Sequence, residues 1–170
     1  MPKTPERTTP SKLPTASIPS PEQRIAVIIS RFEAKDQELF QSARKAVRKR
    51  FPTVNELIYD YARNFVIGYS PTHAGGEGIA ALSLEPDGVR FYLTNGARLP
   101  DPHKLLQGKA GARYLELETA KDLLRPEVEA LMKAAEKVAK VPLKATGHGE
   151  LIMKDSASGK KSGERAKRST

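Results

Sequence analysis

The stretch "TNGARLPDPHKLLQGKAGARYLEL", residues 94–117, gathers the side chains best suited to hold an anion. Arg98 and Arg113 flank it, and Asp101, His103 and Lys104 lie between them. A guanidinium grips carboxylate or phosphate oxygens through paired hydrogen bonds, and N–H groups in a turn add to that grip. One reading of these five residues is therefore a ligand site for a small anion. The other is structural: Asp101 caps a short helix starting near Pro102 and His103, and the basic side chains are solvated. Gly108 and Gly111 form a G-x-x-G. Such a loop clamps a nucleic-acid backbone when it joins two helices, but here a strand-like run follows. The spacing is not that of a P-loop either, so a chain reversal is the plain reading.

Other chemistries find less material. The chain has no Cys, which removes thiol nucleophiles, disulfides and thiolate metal sites. No G-x-S-x-G is present, and neither Ser70 nor Ser83 has a context that suggests activation. His73, His103 and His148 are scattered. Only His73 with Glu77, and Asp101 with His103, have spacings that suit a shared ion. The acids Glu33, Asp36 and Glu38 are accounted for by a helix N-terminus. No metal site, cofactor or catalytic residue is assigned, and the protein is expected to be non-catalytic.

The elements that must position these groups are legible in part. Residues 1–21 hold six prolines among Thr, Ser and Lys, and read as a disordered arm. Ile25–Ile29 suggests a short helix. Phe32–Pro52 shows apolar residues at 3–4 spacing, with acids early, bases late and Pro52 as the stop. Residues 54–70 read as one or two strands, Phe65–Tyr69 being the clearer. "SPTHAGGEG" is loop by composition, and "IAALSLEPDGVRFYLT" is a hairpin turned by Pro86-Asp87-Gly88. Arg113–Glu118 alternates as a strand, with Arg113 on the face of Leu115 and Leu117. Thr119 and Asp122 cap a short helix, and Pro126 opens the last one, which ends at Val141-Pro142. "ELIMK", residues 150–154, is either an extra strand or a docking segment. The order predicts an α+β fold: an antiparallel sheet with N-terminal helices and a C-terminal helix on one face. The domain is expected over 22–142, followed by a basic, mostly disordered tail at 143–170.

A net charge of +9 raises the question of nucleic acid. Residues 1–24 carry +2 and residues 141–170 carry +4, so the ends supply most of it. The basic runs "ARKAVRKR" and "GKKSGERAKR" predict weak electrostatic contact that falls with salt. No stacking pair of aromatics stands out; Tyr69 and Tyr92 are the candidates. No apolar run is long enough to span a membrane and no secretory leader is evident, so a cytoplasmic protein without membrane contact is expected.

The segment "GIAALSLEPDGVRFYLTNGARLPDPHKLLQGKAGARYLEL" and the Pro126 helix resemble the YdhG-like domain family, a bacterial family of mostly unknown function. The resemblance rests on Gly96, Ala97, Leu99, Asp101, Pro102, Leu105, Leu106, Gly108 and Arg113, and covers roughly residues 23–140, with an echo at 150–161. It implies an α+β fold, frataxin-like in part, and brings in iron chaperoning, described for at least one member. Many relatives carry a Trp-Gly-Met-Pro-type segment where this chain has "YDYARNFVIGYSP". Three readings thus remain: binding of a small, optionally anionic ligand or a protein partner; a frataxin-like metal chaperone; and nucleic-acid contact through basic tails. Oligomeric state is not legible.

Overall fold

The computed structural model describes residues 16–154; the Pro-rich arm up to residue 15 and the run at 155–170 lie outside them. Helix α1 spans Pro21–Ile29 and opens on a reciprocal cap, in which Ser20 accepts from the Gln23 N–H and Gln23 accepts from the Ser20 N–H. Helix α2 spans Ala34–Arg50, with Asp36 in its first turn and Arg48, Lys49 and Arg50 in its last. Such an order suits the helix dipole. Residues 54–70 resolve into two strands, β1 (Asn55–Asp60) and β2 (Phe65–Ser70). The predicted hairpin is β3 (Ala80–Glu85) and β4 (Gly88–Leu93), turned at Gly88, whose φ of 141° favours glycine. Strand β5 is Arg113–Leu117. A 3-10 turn at Ala120–Leu124, capped by Thr119 and Asp122, leads into helix α3 (Pro126–Lys137). Strand β6 is Leu151–Met153.

The six strands lie in the order β5-β4-β3-β2-β1-β6. All neighbours are antiparallel except β1 and β6, which run parallel, so the predicted antiparallel sheet has one parallel edge pair. This edge also moves the expected domain boundary. The chain past Pro142 does not leave the fold but returns along β1, and the domain takes in residues to Lys154. Gly149 permits the return, because a Cβ there would collide with the Val54 carbonyl.

Alternation on the strands decides what each face meets. Ile58, Phe65, Ile67, Leu82, Leu84, Phe91, Leu93, Leu115 and Leu117 are buried on one face. Ile25, Phe40, Val47, Leu131 and Met132 of the helices join them in one core. Phe40 and Phe65 meet with ring centroids 5.6 Å apart, an arrangement worth about 0.5–1.5 kcal/mol beyond burial.

One charged cluster sits inside this apolar layer. Arg44 of α2 is buried and donates to both oxygens of buried Glu56 on β1, at 2.9 and 2.7 Å. It also donates to both oxygens of Glu22 on α1, at 2.7 and 2.9 Å. Arg48, one turn on, lies 3.7 Å from each carboxylate. Burial alone would lower the Arg44 pKa, but the hydrogen bonds it donates to Glu56 and Glu22 overcome it and hold the guanidinium charged. At the C-terminal end of α2, Arg50 bridges to α3 through Glu129 at 2.8 Å and Glu136 at 2.6 Å.

Two outcomes are expected from this cluster. Glu56→Ala strands the buried guanidinium and should cost about 3–5 kcal/mol, read as the urea midpoint of unfolding. The Arg44 hydrogen bond holds the Glu22 carboxyl below its usual value of 4.5. Its stabilisation is therefore complete above that pH and lost as pH falls through the lowered value. Glu22→Gln should flatten the acid limb of a stability–pH curve and leave the slope above pH 6 unchanged.

Candidate ligand-binding site

The 94–117 connection places its five candidate residues apart in role. Asp101 accepts from the N–H groups of Leu105 and Leu106, both at 2.9 Å. It thus caps as expected, but what it caps is an irregular turn; the helix expected near Pro102 and His103 is absent. Lys104 holds that turn at φ 52°. Arg113 lies across Gly96, where any Cβ would collide with its side chain, and its Nη1 donates to the Gly108 carbonyl. The Arg113 guanidinium thus turns back onto the connection, with its Nε buried and unpartnered. Arg98 and Lys104 are exposed. Asp101 and His103 line a cleft of about 280 Å³ against Pro126 and Leu131 of α3; Arg98, Lys104 and Arg113 are not part of its lining.

The opposite face of the sheet carries a second arrangement that the sequence alone does not display. Among the described residues no helix covers this face. Strand register lays its residues out in rows: Tyr59, Val66, Ser83, Arg90 and Glu116 form one, and Leu57, Gly68, Ala81, Tyr92 and Tyr114 the next. Tyr59 and Tyr61 stack at 5.9 Å with their rings 3° from parallel. Tyr92 and Tyr114, cross-strand partners, meet at 5.2 Å, and the Arg90 guanidinium lies 5.1 Å from the Tyr114 centroid. Between the two pairs the small residues Gly68, Ala81 and Ser70 form the floor of a groove of about 430 Å³, with Tyr59 and Tyr61 on one wall.

The "SPTHAGGEG" loop builds the rest of that wall. Gly75 rests on Tyr59 so closely that a Cβ would meet the phenol oxygen. Ser70 donates to the Ala74 carbonyl at 2.9 Å, Thr72 accepts from the Ala74 N–H at 3.1 Å, and Thr72 donates to Glu77. Asn55, buried at the start of β1, donates to the Thr72 carbonyl at 3.1 Å and accepts from the Glu150 N–H at 2.9 Å. One side chain therefore fixes both the loop and the entry to β6. Two lysines reach the loop from elsewhere: Lys154 donates to the His73 carbonyl at 2.5 Å, and Lys140 to the Gly76 carbonyl at 3.3 Å.

Two sequence-based expectations change here. Tyr69 is not a surface aromatic: it points into the core beside Glu56, and burial followed by the Glu56 charge raises its pKa well above the usual phenol value. His73 does not meet Glu77; its Nε2 lies 3.1 Å from Glu150. Among the described residues no three His, Asp or Glu side chains are grouped to hold a metal ion. No helix of the described residues is long and apolar enough to cross a membrane.

Comparison of the chain with protein-family models, with curated proteins and with solved structures returns no match.

The loop wall gives a direct check. Asn55→Ala removes two part-buried hydrogen bonds and should cost about 2 kcal/mol. Hydrogen exchange should accelerate at residues 71–78 and 150–153 together. Faster exchange in only one of the two segments would contradict the double role of Asn55.

Proposed function

We propose that this is a non-catalytic binding protein whose ligand is a small molecule with a flat, partly apolar ring, held in the groove on the open sheet face. The supporting observation is the stacked Tyr59–Tyr61 pair standing beside a floor of Gly68, Ala81 and Ser70. Side chains this small leave room for a ring, and a phenol face offers it an offset stack. A volume of about 430 Å³ falls in the range of small-ligand pockets. The ammonium groups of Lys140 and Lys154, tethered at the loop, favour a ligand that also carries negative charge. Membership of the YdhG-like family and a cytoplasmic setting are part of the proposal, resting on the 96–113 pattern and on the absence of cysteine respectively.

Native mass spectrometry of the untagged protein, purified gently and without oxygen, tests the reading. The expected result is an organic adduct that disappears in Tyr59→Ala and survives in an Arg98→Ala/Arg113→Ala double variant. An adduct lost only in the double arginine variant would move the site to the 94–117 connection. An adduct of metal mass would favour the chaperone reading instead. If no adduct is present, a library of ring compounds should shift the NMR signals of Tyr59 and Tyr61, and a silent library would sink the proposal.

A further inference from the structure

We infer that the open sheet face takes single-stranded nucleic acid, with bases stacked on the two tyrosine pairs and phosphates along the wall formed by residues 71–78. The inference rests on the reading that the groove accepts flat rings, and names the polymer they belong to.

One exposed tyrosine on a strand means little. Here four of the chain's five tyrosines share the uncovered face, and they fall into two pairs rather than a scatter. Tyr59 on β1 and Tyr92 on β4 are three strand spacings apart, about 14 Å across the sheet. A single small ring cannot reach both, whereas successive bases of an extended strand can. The floor between them is low, so nothing obstructs a backbone passing from one pair to the other. In its middle lies Ser83, whose hydroxyl is buried and has no hydrogen-bond partner, on the row between Val66 and Arg90. Open sheets bearing aromatics are a recurrent way of holding unpaired bases.

The charges set the direction in which the strand lies. Arg90 is surrounded by Glu85, Asp87 and Glu116, so the β4–β5 end offers no net positive field for a phosphate. At the other side Lys140 and Lys154 hold the loop, and the two acids there are already engaged, Glu77 by the Thr72 hydroxyl and Glu150 by His73. Residues 155–170 continue directly from Lys154 and carry five basic and two acidic side chains. Duplex is excluded as the preferred form, because its bases are stacked on one another and present no free face to the tyrosines.

The test uses the full chain with a 12-nucleotide oligo-U, a 12-nucleotide oligo-dT and a 12-base-pair duplex. Affinity is read by anisotropy at two salt concentrations. Stacking is read by quenching of tyrosine emission, which no Trp obscures. Single strands are expected to bind at least tenfold tighter than duplex and to quench. Tyr59→Ala and Tyr92→Ala should each weaken binding roughly tenfold. Tyr92→Phe, which keeps the ring and guards against a folding defect, should bind as the parent does. Changing Lys160, Lys161, Arg165, Lys167 and Arg168 to Gln should lower the salt slope and leave the quenching in place. Equal affinity for duplex, or tyrosine variants that bind like the parent, would reduce the effect to bare charge and overturn the inference. A protein that ignores oligonucleotides while ring compounds still shift Tyr59 and Tyr61 would lose this inference and keep the groove. Silence toward both would remove the two together. Self-association that buries the tyrosines would assign the face to a second copy.

Discussion

Arg44 is the point on which the arrangement of this domain turns. Its guanidinium has five donors in a fixed plane, and four of its hydrogen bonds go to two carboxylates on different elements, Glu22 of α1 and Glu56 of β1. Planarity makes the constraint geometric as well as electrostatic. Both acids must approach in the plane of the fork, which fixes α1 against α2 and α2 against the sheet. Placing charge in an apolar layer adds little stability on balance, since desolvation offsets much of the attraction. What it excludes is any packing that separates the three elements, because each would leave a buried charge alone.

With the helices committed to one face, the other face is defined by what does not cover it. Each strand then serves two surfaces at once. On β1, Ile58 belongs to the core while Tyr59 faces outward, and on β4 Phe91 and Tyr92 divide in the same way. The sequence spends its largest apolar side chains inward and its smallest on the outer side of the central strands. The outer tyrosines thus stand at two edges of a shallow trough. Asn55 and the lysines then hold the 71–78 loop over one edge.

Much of the frame is readable from local chemistry, and particular residues explain why. Pro52, Pro86-Asp87-Gly88, Thr119 and Pro126 act within a few residues of themselves, so most helix ends and the hairpin follow from them, whereas the cap at Ser20 lies inside the stretch that composition marks as a disordered arm. The sheet face does not. Tyr59 and Tyr61 could be noticed as an i, i+2 pair, but that Tyr92 falls in the row of Gly68 and Ala81 depends on register through β2 and β3. The Arg44 cluster joins positions 22, 44 and 56, which no periodicity relates. Conversely, the dense 94–117 connection reads as a site because its charged residues are close in sequence. In space Asp101 is engaged by its own turn, and Arg113 by Gly108.

The parallel pairing of β6 with β1 has a consequence for how the chain is made. β1 emerges early during synthesis, and its inner edge can pair with β2 across a short turn. Its outer edge has to wait for Leu151–Met153, almost a hundred residues later. During that interval a row of unpaired N–H and C=O groups beside Leu57 and Ile58 is open to any extended segment, including the β1 of another nascent copy. Bringing the ends together late costs only a slowly growing loop entropy. The fold therefore completes its edge cheaply, but last, and the order of translation decides how long that edge stays exposed.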